Sequence, residues 1–249
     1  MRKFIVPLFI SLLLANTSSA QSWKAAKLEV FGGISAHQYF GDIGGASGDV
    51  NLLGLLDIDI LSTRPGITLG ARYHISKPIQ IKVNFTSGMI SSTDLNSRNE
   101  NRQFAFKTLI NEFAVMGEYY IIPESDENYF YNIMQIRGGL RHFRQPFSLY
   151  ATLGFGGFHY NVTPLQNLAT SPRFSQSSSI AFFVPVGMGI KYAIRPKLSI
   201  GVELVGRITN TNELDGYVSP YGIYNDYYHS LIVKVNYKIP TKKRPGVRR

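Results

Sequence analysis

The chain has 249 residues, a formal net charge of +10 and no cysteine. Without Cys there is no thiolate chemistry, no disulfide, no zinc–thiolate site and no lipid-bearing residue behind a leader. A basic excess of this size suits nucleic acid, but the N-terminus reads as an export signal and no aromatic–basic groove motif follows it. Lipid, lipopolysaccharide or an acidic protein surface are the expected counter-charges, and no nucleic-acid partner is expected.

Residues 1–20 have the order of a secretory signal peptide. Arg2 and Lys3 are basic, residues 4–15 form an apolar run too short to span a bilayer, and Ser18-Ser19-Ala20 places small residues before a cleavage point at Gln21. The expected organisation is a leader over 1–20, one β domain over 21–240 and a basic tail over 241–249. No apolar run of about 18 residues follows the leader, so no transmembrane helix is expected.

Eight alternating segments come next: 28–40, 67–75, 79–89, 104–121, 147–160, 180–192, 198–208 and 227–239. In the second, Ile67, Leu69, Ala71, Tyr73 and Ile75 share one face, opposed by Thr68, Gly70, Arg72 and His74. In the third, Ile79, Ile81, Val83 and Phe85 oppose Gln80, Lys82, Asn84 and Thr86. A period of two throughout, with no sustained helical period, predicts strands.

A soluble sandwich and a membrane barrel both produce such alternation. The connections separate them. Numbered from the N-terminus, the first, third, fifth and seventh are long, while 76–78 and 193–197 are tight turns. Sorting by parity is the habit of transmembrane barrels, with long loops outside and short periplasmic turns. Fifteen Tyr, 16 Phe and 23 Gly fit the same class. The fold class expected is therefore all-β: a transmembrane antiparallel up-and-down β-barrel of about eight strands, of OmpA/OmpX size. The aliphatic face then meets lipid, and Tyr39 and Phe40 fall in the interfacial girdle. The fourth connection, 122–146, breaks the parity rule; a short amphipathic helix broken at Gly138-Gly139, a ninth strand or an extra hairpin each fit it.

A barrel of eight strands leaves room inside only for packed side chains. Glu112, Glu118, Lys191, Glu203 and Arg207 fall on the inner face and are expected to pair with one another as a plug, because an unpaired buried charge is costly. Neither catalysis nor a cofactor or metal is expected. The five His residues (His37, His74, His142, His159, His229) form no H-E-x-x-H setting, there is no G-x-S-x-G, and no His–Ser cluster is evident. The 41–45 stretch "GDIGG" lacks the Lys of a P-loop, and Asp57 with Asp59 supplies too few oxygens for a cation. For partner binding, the candidates are Tyr129, Phe130 and Tyr131 in the fourth connection, with Lys242, Lys243, Arg244, Arg248 and Arg249 in the tail as an electrostatic tether.

Three stretches carry a resemblance: "EVFGGISAHQYFGDIGG" (29–45), "SSTDLNSRNENRQFAFKTLINEFAVMGEYY" (91–120) and "VPVGMGIKYAIRPKLSIGVELVGRITNTNELDGYVS" (184–219). Together they resemble a family of small outer-membrane barrels of Bacteroidota that includes the type IX secretion component PorG. The resemblance implies a non-enzymatic anchor in the outer membrane whose periplasmic side contacts ring proteins of the PorK and PorN kind. A stand-alone barrel binding lipid or an extracellular ligand through its loops is the alternative, and a lipid-modifying enzyme the second.

Overall fold

The computed structural model describes residues 27–44, 62–95, 97, 99–124, 147–174, 178–195, 197–217 and 225–239. They form eight strands: β1 (Leu28–Phe40), β2 (Arg64–His74), β3 (Ile79–Thr93), β4 (Phe104–Ile122), β5 (Phe147–Gln166), β6 (Ser178–Arg195), β7 (Leu198–Thr209) and β8 (Tyr227–Ile239). Each strand pairs antiparallel with its sequence neighbour, and β8 pairs with β1, from Leu28↔Ile239 to Phe40↔Tyr227. The result is a closed up-and-down barrel with no free edge, the condition a sheet must meet to cross hydrocarbon.

Alternation places one residue type on each side of the wall. Ile67, Leu69 and Tyr73 of β2 and Ile81, Val83 and Phe85 of β3 are exposed on the outside, while Arg72, His74, Lys82 and Asn84 are buried inside. Gly66 and Gly88, both on the long-loop half, make room for an inward imidazole. A Cβ at either position would lie 2.4 Å from His37 Nε2. Opposite Pro185, which has no N–H to give, the β5–β6 register is interrupted between Leu153↔Val186 and Gly156↔Phe183.

The barrel is not equally tall all round. Asn161 of β5 faces Ser178, where β6 begins, yet β5 continues to Gln166. Likewise Gly66 faces Gly88, and β3 continues to Thr93 against Ala105 of β4. At about 3.3 Å per residue, the β3–β4–β5 wall overshoots its neighbours by three to five residues as a one-sided flange. Toward and within the flange the polarity of the wall shifts: Ile90, Phe106, Ile110, Tyr160 and Val162 are buried inside, and Lys107, Asn161 and Thr163 point outward alongside the exposed Leu109 and Leu165. On β5 the change of phase falls at Gly156-Gly157: below it Leu153 and Phe155 are outside, above it His159 and Asn161. An outward polar face marks the part of the wall that has left hydrocarbon.

Candidate functional site

The interior divides into two halves of different chemistry. The half nearer the tight turns is filled by ion pairs. Arg72 donates to Glu29 and, in a two-pronged arrangement, to both Glu118 oxygens at 2.5 and 3.0 Å. Lys82 Nζ lies 3.1 Å from Glu118 Oε1 and 2.7 Å from Glu203 Oε1. Glu203 also accepts from Lys234 and from the Tyr150 hydroxyl, the latter at 2.6 Å. Lys191 bridges Glu29 at 2.5 Å and Glu124 at 2.6 Å, and Lys238 closes the end on Glu124 at 2.5 Å. The cations also sit on aromatic faces: Arg72 is 5.4 Å from the Phe31 ring centroid and Lys234 4.8 Å.

Just beyond Glu124 the chain leaves the described residues. Burial raises the Glu124 pKa, but the positive charges of Lys191 and Lys238 outweigh it and hold the carboxyl down at about 2.

Midway up, a smaller group is separate from this network. Arg207 Nε donates to Glu112 Oε2 at 2.8 Å, and its Nη1 donates to Ser230 Oγ at 2.7 Å. Ser230 Oγ is 2.5 Å from His37 Nδ1, and His37 Nε2 is 2.8 Å from Ser35 Oγ. The Tyr228 hydroxyl donates to the other Glu112 oxygen at 2.9 Å.

The half nearer the long loops is apolar, and the described start of the β7–β8 connection, 210–217, enters it as a cap. Leu214 is fully buried among Ile43, Ile90, Phe106 and Ile110. Its carbonyl accepts from Thr108 Oγ1 of β4 at 2.7 Å, across the barrel from β8. Tyr217 forms an isolated bridge with Phe174, stands edge-on to Phe104, and receives the Arg173 guanidinium at its hydroxyl at 3.2 Å. Asp226 at the root of β8 accepts from the Tyr39 hydroxyl at 2.7 Å and from the Leu214 amide at 2.9 Å.

The structure distributes the residues singled out from the sequence as follows. Glu112, Glu118, Lys191, Glu203 and Arg207 are all interior and buried. Their expected mutual pairing holds only for Glu112 with Arg207. The other three meet Glu29, Arg72, Lys82, Glu124 and Lys234 instead, because strand stagger brings other rungs level with them. Tyr39, expected in the girdle, is interior and holds Asp226. Phe40, the other of that pair, is buried as well, stacked on Tyr227 at 5.2 Å. Residues Tyr129, Phe130, Tyr131, Lys242, Lys243, Arg244, Arg248 and Arg249 lie outside the described residues, as do 1–20, Asp57, Asp59 and His142.

Two His–Ser arrangements escaped the sequence reading. Ser35 and His37 are two apart on one strand face, a visible spacing; Ser230 joins them only through β1–β8 closure. His159 Nε2 is 3.1 Å from Ser178 Oγ on the outer wall, at the level where that wall turns polar. Nineteen residues separate the pair, and only the β5–β6 register joins it. Among the described residues no group of three or more His, Asp or Glu side chains is arranged to hold a metal ion.

A closed eight-stranded sheet with an apolar outside and a paired, buried polar inside defines a transmembrane β-barrel. The chain belongs to the outer membrane protein beta-barrel domain family, whose model matches residues 7–238; the outer membrane is its location. Among solved structures it is similar to Ail, the attachment invasion locus protein of Yersinia pestis. That likeness has 13% identity and a TM-score of 0.44, covering 86% of this chain and 99% of the other. Neisserial surface protein A (NspA) gives 12% identity and a TM-score of 0.46, covering 85% and 97%. OprG from Pseudomonas aeruginosa gives 10% and 0.40, covering 87% and 97%. No curated protein matches the sequence.

Proposed function

We propose that this chain is a non-enzymatic anchor in the outer membrane, exported by a cleaved leader, that holds periplasmic ring proteins of a type IX secretion machinery through its turn end. The observation that carries the reading is the filled interior. Arg72, Lys82, Lys191 and Lys234 are matched by Glu29, Glu118, Glu124 and Glu203, so the barrel is built to stay shut rather than to pass solutes. The type IX assignment rests on the PorG-like stretches at 29–45, 91–120 and 184–219. Docking falls to Tyr129, Phe130 and Tyr131 together with the basic tail, which attracts an acidic surface within a Debye length of about 8 Å.

The test is crosslinking and recovery of partners from intact envelopes. The parent recovers ring proteins of the PorK and PorN kind. A variant truncated after Pro240, or one with Tyr129, Phe130 and Tyr131 changed to Ser, recovers them poorly while still folding. Equal recovery from folded variants at every salt concentration removes the docking reading and leaves a stand-alone barrel that binds lipid, lipopolysaccharide or another ligand through its loops.

One observation favours a second reading, a lipid-acting hydrolase. The Ser178 hydroxyl is within hydrogen-bond reach of the His159 imidazole on the outer wall, where a nucleophile and its base would meet an acyl ester of the outer leaflet. Labelling of the parent, but not of Ser178→Ala, by a fluorophosphonate probe supports it. Equal absence of label from both rejects it.

A further inference from the structure

The apolar half of the interior contains two acids that no cation among the described residues answers. Asp215 and Asp226 are 0% and 3% exposed. Asp226 Oδ1 takes the Tyr39 hydroxyl and Oδ2 the Leu214 amide. Asp215 Oδ1 takes the Tyr217 amide at 2.9 Å, whereas its Oδ2 is buried without a hydrogen-bond partner among the described residues. The two carboxyls thus hold both ends of the 214–217 segment of the cap.

Among the described residues the charged or titratable groups near the pair are the following, with Glu213 beside Leu214 in the cap itself. From β1 comes Tyr39, from the β1–β2 connection the like charge of Asp42. The β3–β4 connection brings Arg102, but its guanidinium is committed to Asp94 at 2.6 and 3.0 Å and to the Asp42 carbonyl at 2.6 Å. Arg173, after β5, is on the Tyr217 hydroxyl. On β8, Tyr228 is engaged by Glu112, and His229 packs outside against Phe40. Two neighbouring buried carboxylates without a counter-ion do not both ionise.

We propose that Asp215 and Asp226 form a proton-gated latch that holds residues 214–217 of the β7–β8 connection in the barrel mouth and releases them when the pair loses its remaining proton. A proton on Asp215 removes the charge from its otherwise orphaned oxygen and leaves one negative charge, on Asp226, to be held by the Tyr39 O–H and the Leu214 N–H. Loss of that proton puts two charges, with Asp42 as a third, into an apolar pocket. The low-cost escape is to swing 214–217 out into water. The direction of titration agrees. Burial raises both acids, Asp226 to about 7 against the opposing pull of its hydrogen bonds, and Asp215 well above its ordinary value, helped by the charge of Asp226.

Residue-resolved amide exchange of the full folded barrel in micelles, corrected for intrinsic base catalysis, tests this. Between pH 5.5 and 8.5 protection of the Leu214 and Tyr217 amides falls by up to about tenfold per pH unit, the slope of one released proton. The Tyr120 amide, bonded to the Pro78 carbonyl at the turn end, does not change. Asp226→Asn and Asp215→Asn, each a neutral isostere, keep the cap protected at all pH values; either suffices if the other fails to fold. Flat protection in the parent, or an unchanged transition in a folded Asn variant, overturns the latch. The series is repeated with EDTA and with calcium. A transition shifted by calcium assigns the pair to a cation and likewise overturns the proton latch.

Discussion

The two ends of the interior solve the same packing problem with opposite chemistry. At the turn end, charges are buried and each acid is answered by Arg or Lys, with aromatic faces behind the cations. At the long-loop end, aliphatic and aromatic side chains fill the space and two acids stand without a cation among the described residues. The outer wall explains the difference. Where the outside is lipid, apolar side chains are drawn outward and polar ones are left for the inside. Where the β3–β4–β5 flange stands in water, the preference reverses and the inside becomes an ordinary hydrophobic core.

The contrast is broken most severely at Glu203. Replacing it with Leu leaves Lys82 and Lys234 without their shared acid and Tyr150 without its acceptor. A cost of about 3–5 kcal/mol is expected for a buried charge stripped of its partner, read as loss of heat-modifiable migration or a lowered urea midpoint. At the other end, Leu214→Ala removes a fully buried side chain at a cost of about 2–5 kcal/mol. Because it strikes the cap, the expected effect is loss of amide protection over 214–217 with the barrel ladder intact. Global unfolding by this change would show that the two halves are a single cooperative unit.

Acidity sharpens the comparison, because the ends respond with opposite sign. The Asp215–Asp226 pair is raised, Asp226 to about 7, so the stabilising contribution of its retained proton is complete below the unfolded value near 4 and is lost as pH rises through 7. Glu124 has its folded pKa lowered to about 2; its contribution is complete above its unfolded value near 4.5 and is lost as pH falls toward 2. Exchange at the cap should therefore quicken in alkali, and exchange at the Tyr120 amide in acid. The smallest effect belongs to the lipid-facing wall: Val202→Leu should stay within about 0.5 kcal/mol, measured by the same urea midpoint.

Period-two alternation was legible wherever the outside is lipid, and β1 and β8 begin and end where it does. The flange was not. Expected strands ending at 89 and 160 run on to Thr93 and Gln166, because the hydrophobic phase flips at Gly156-Gly157 and the outward Asn161 and Thr163 look like loop. The identity of the inner-face residues was readable, but their partners were not. Arg72 meets Glu29 and Glu118, positions 43 and 46 residues away, and only closure and stagger decide such meetings. The Asp pair was hidden for a related reason, since nothing in "NELDGYV" announces that the loop turns inward.

The β1–β8 seam has a consequence for the life of the chain before it reaches the membrane. Leu28 and Ile239 are partners, so the last ladder to form joins the earliest strand to the latest. A chain still emerging cannot own a closed sheet at any length short of β8. Every earlier length carries two bare edges, ready to pair with any other strand that is near. Closure of the seam therefore waits until the whole of β8 is present.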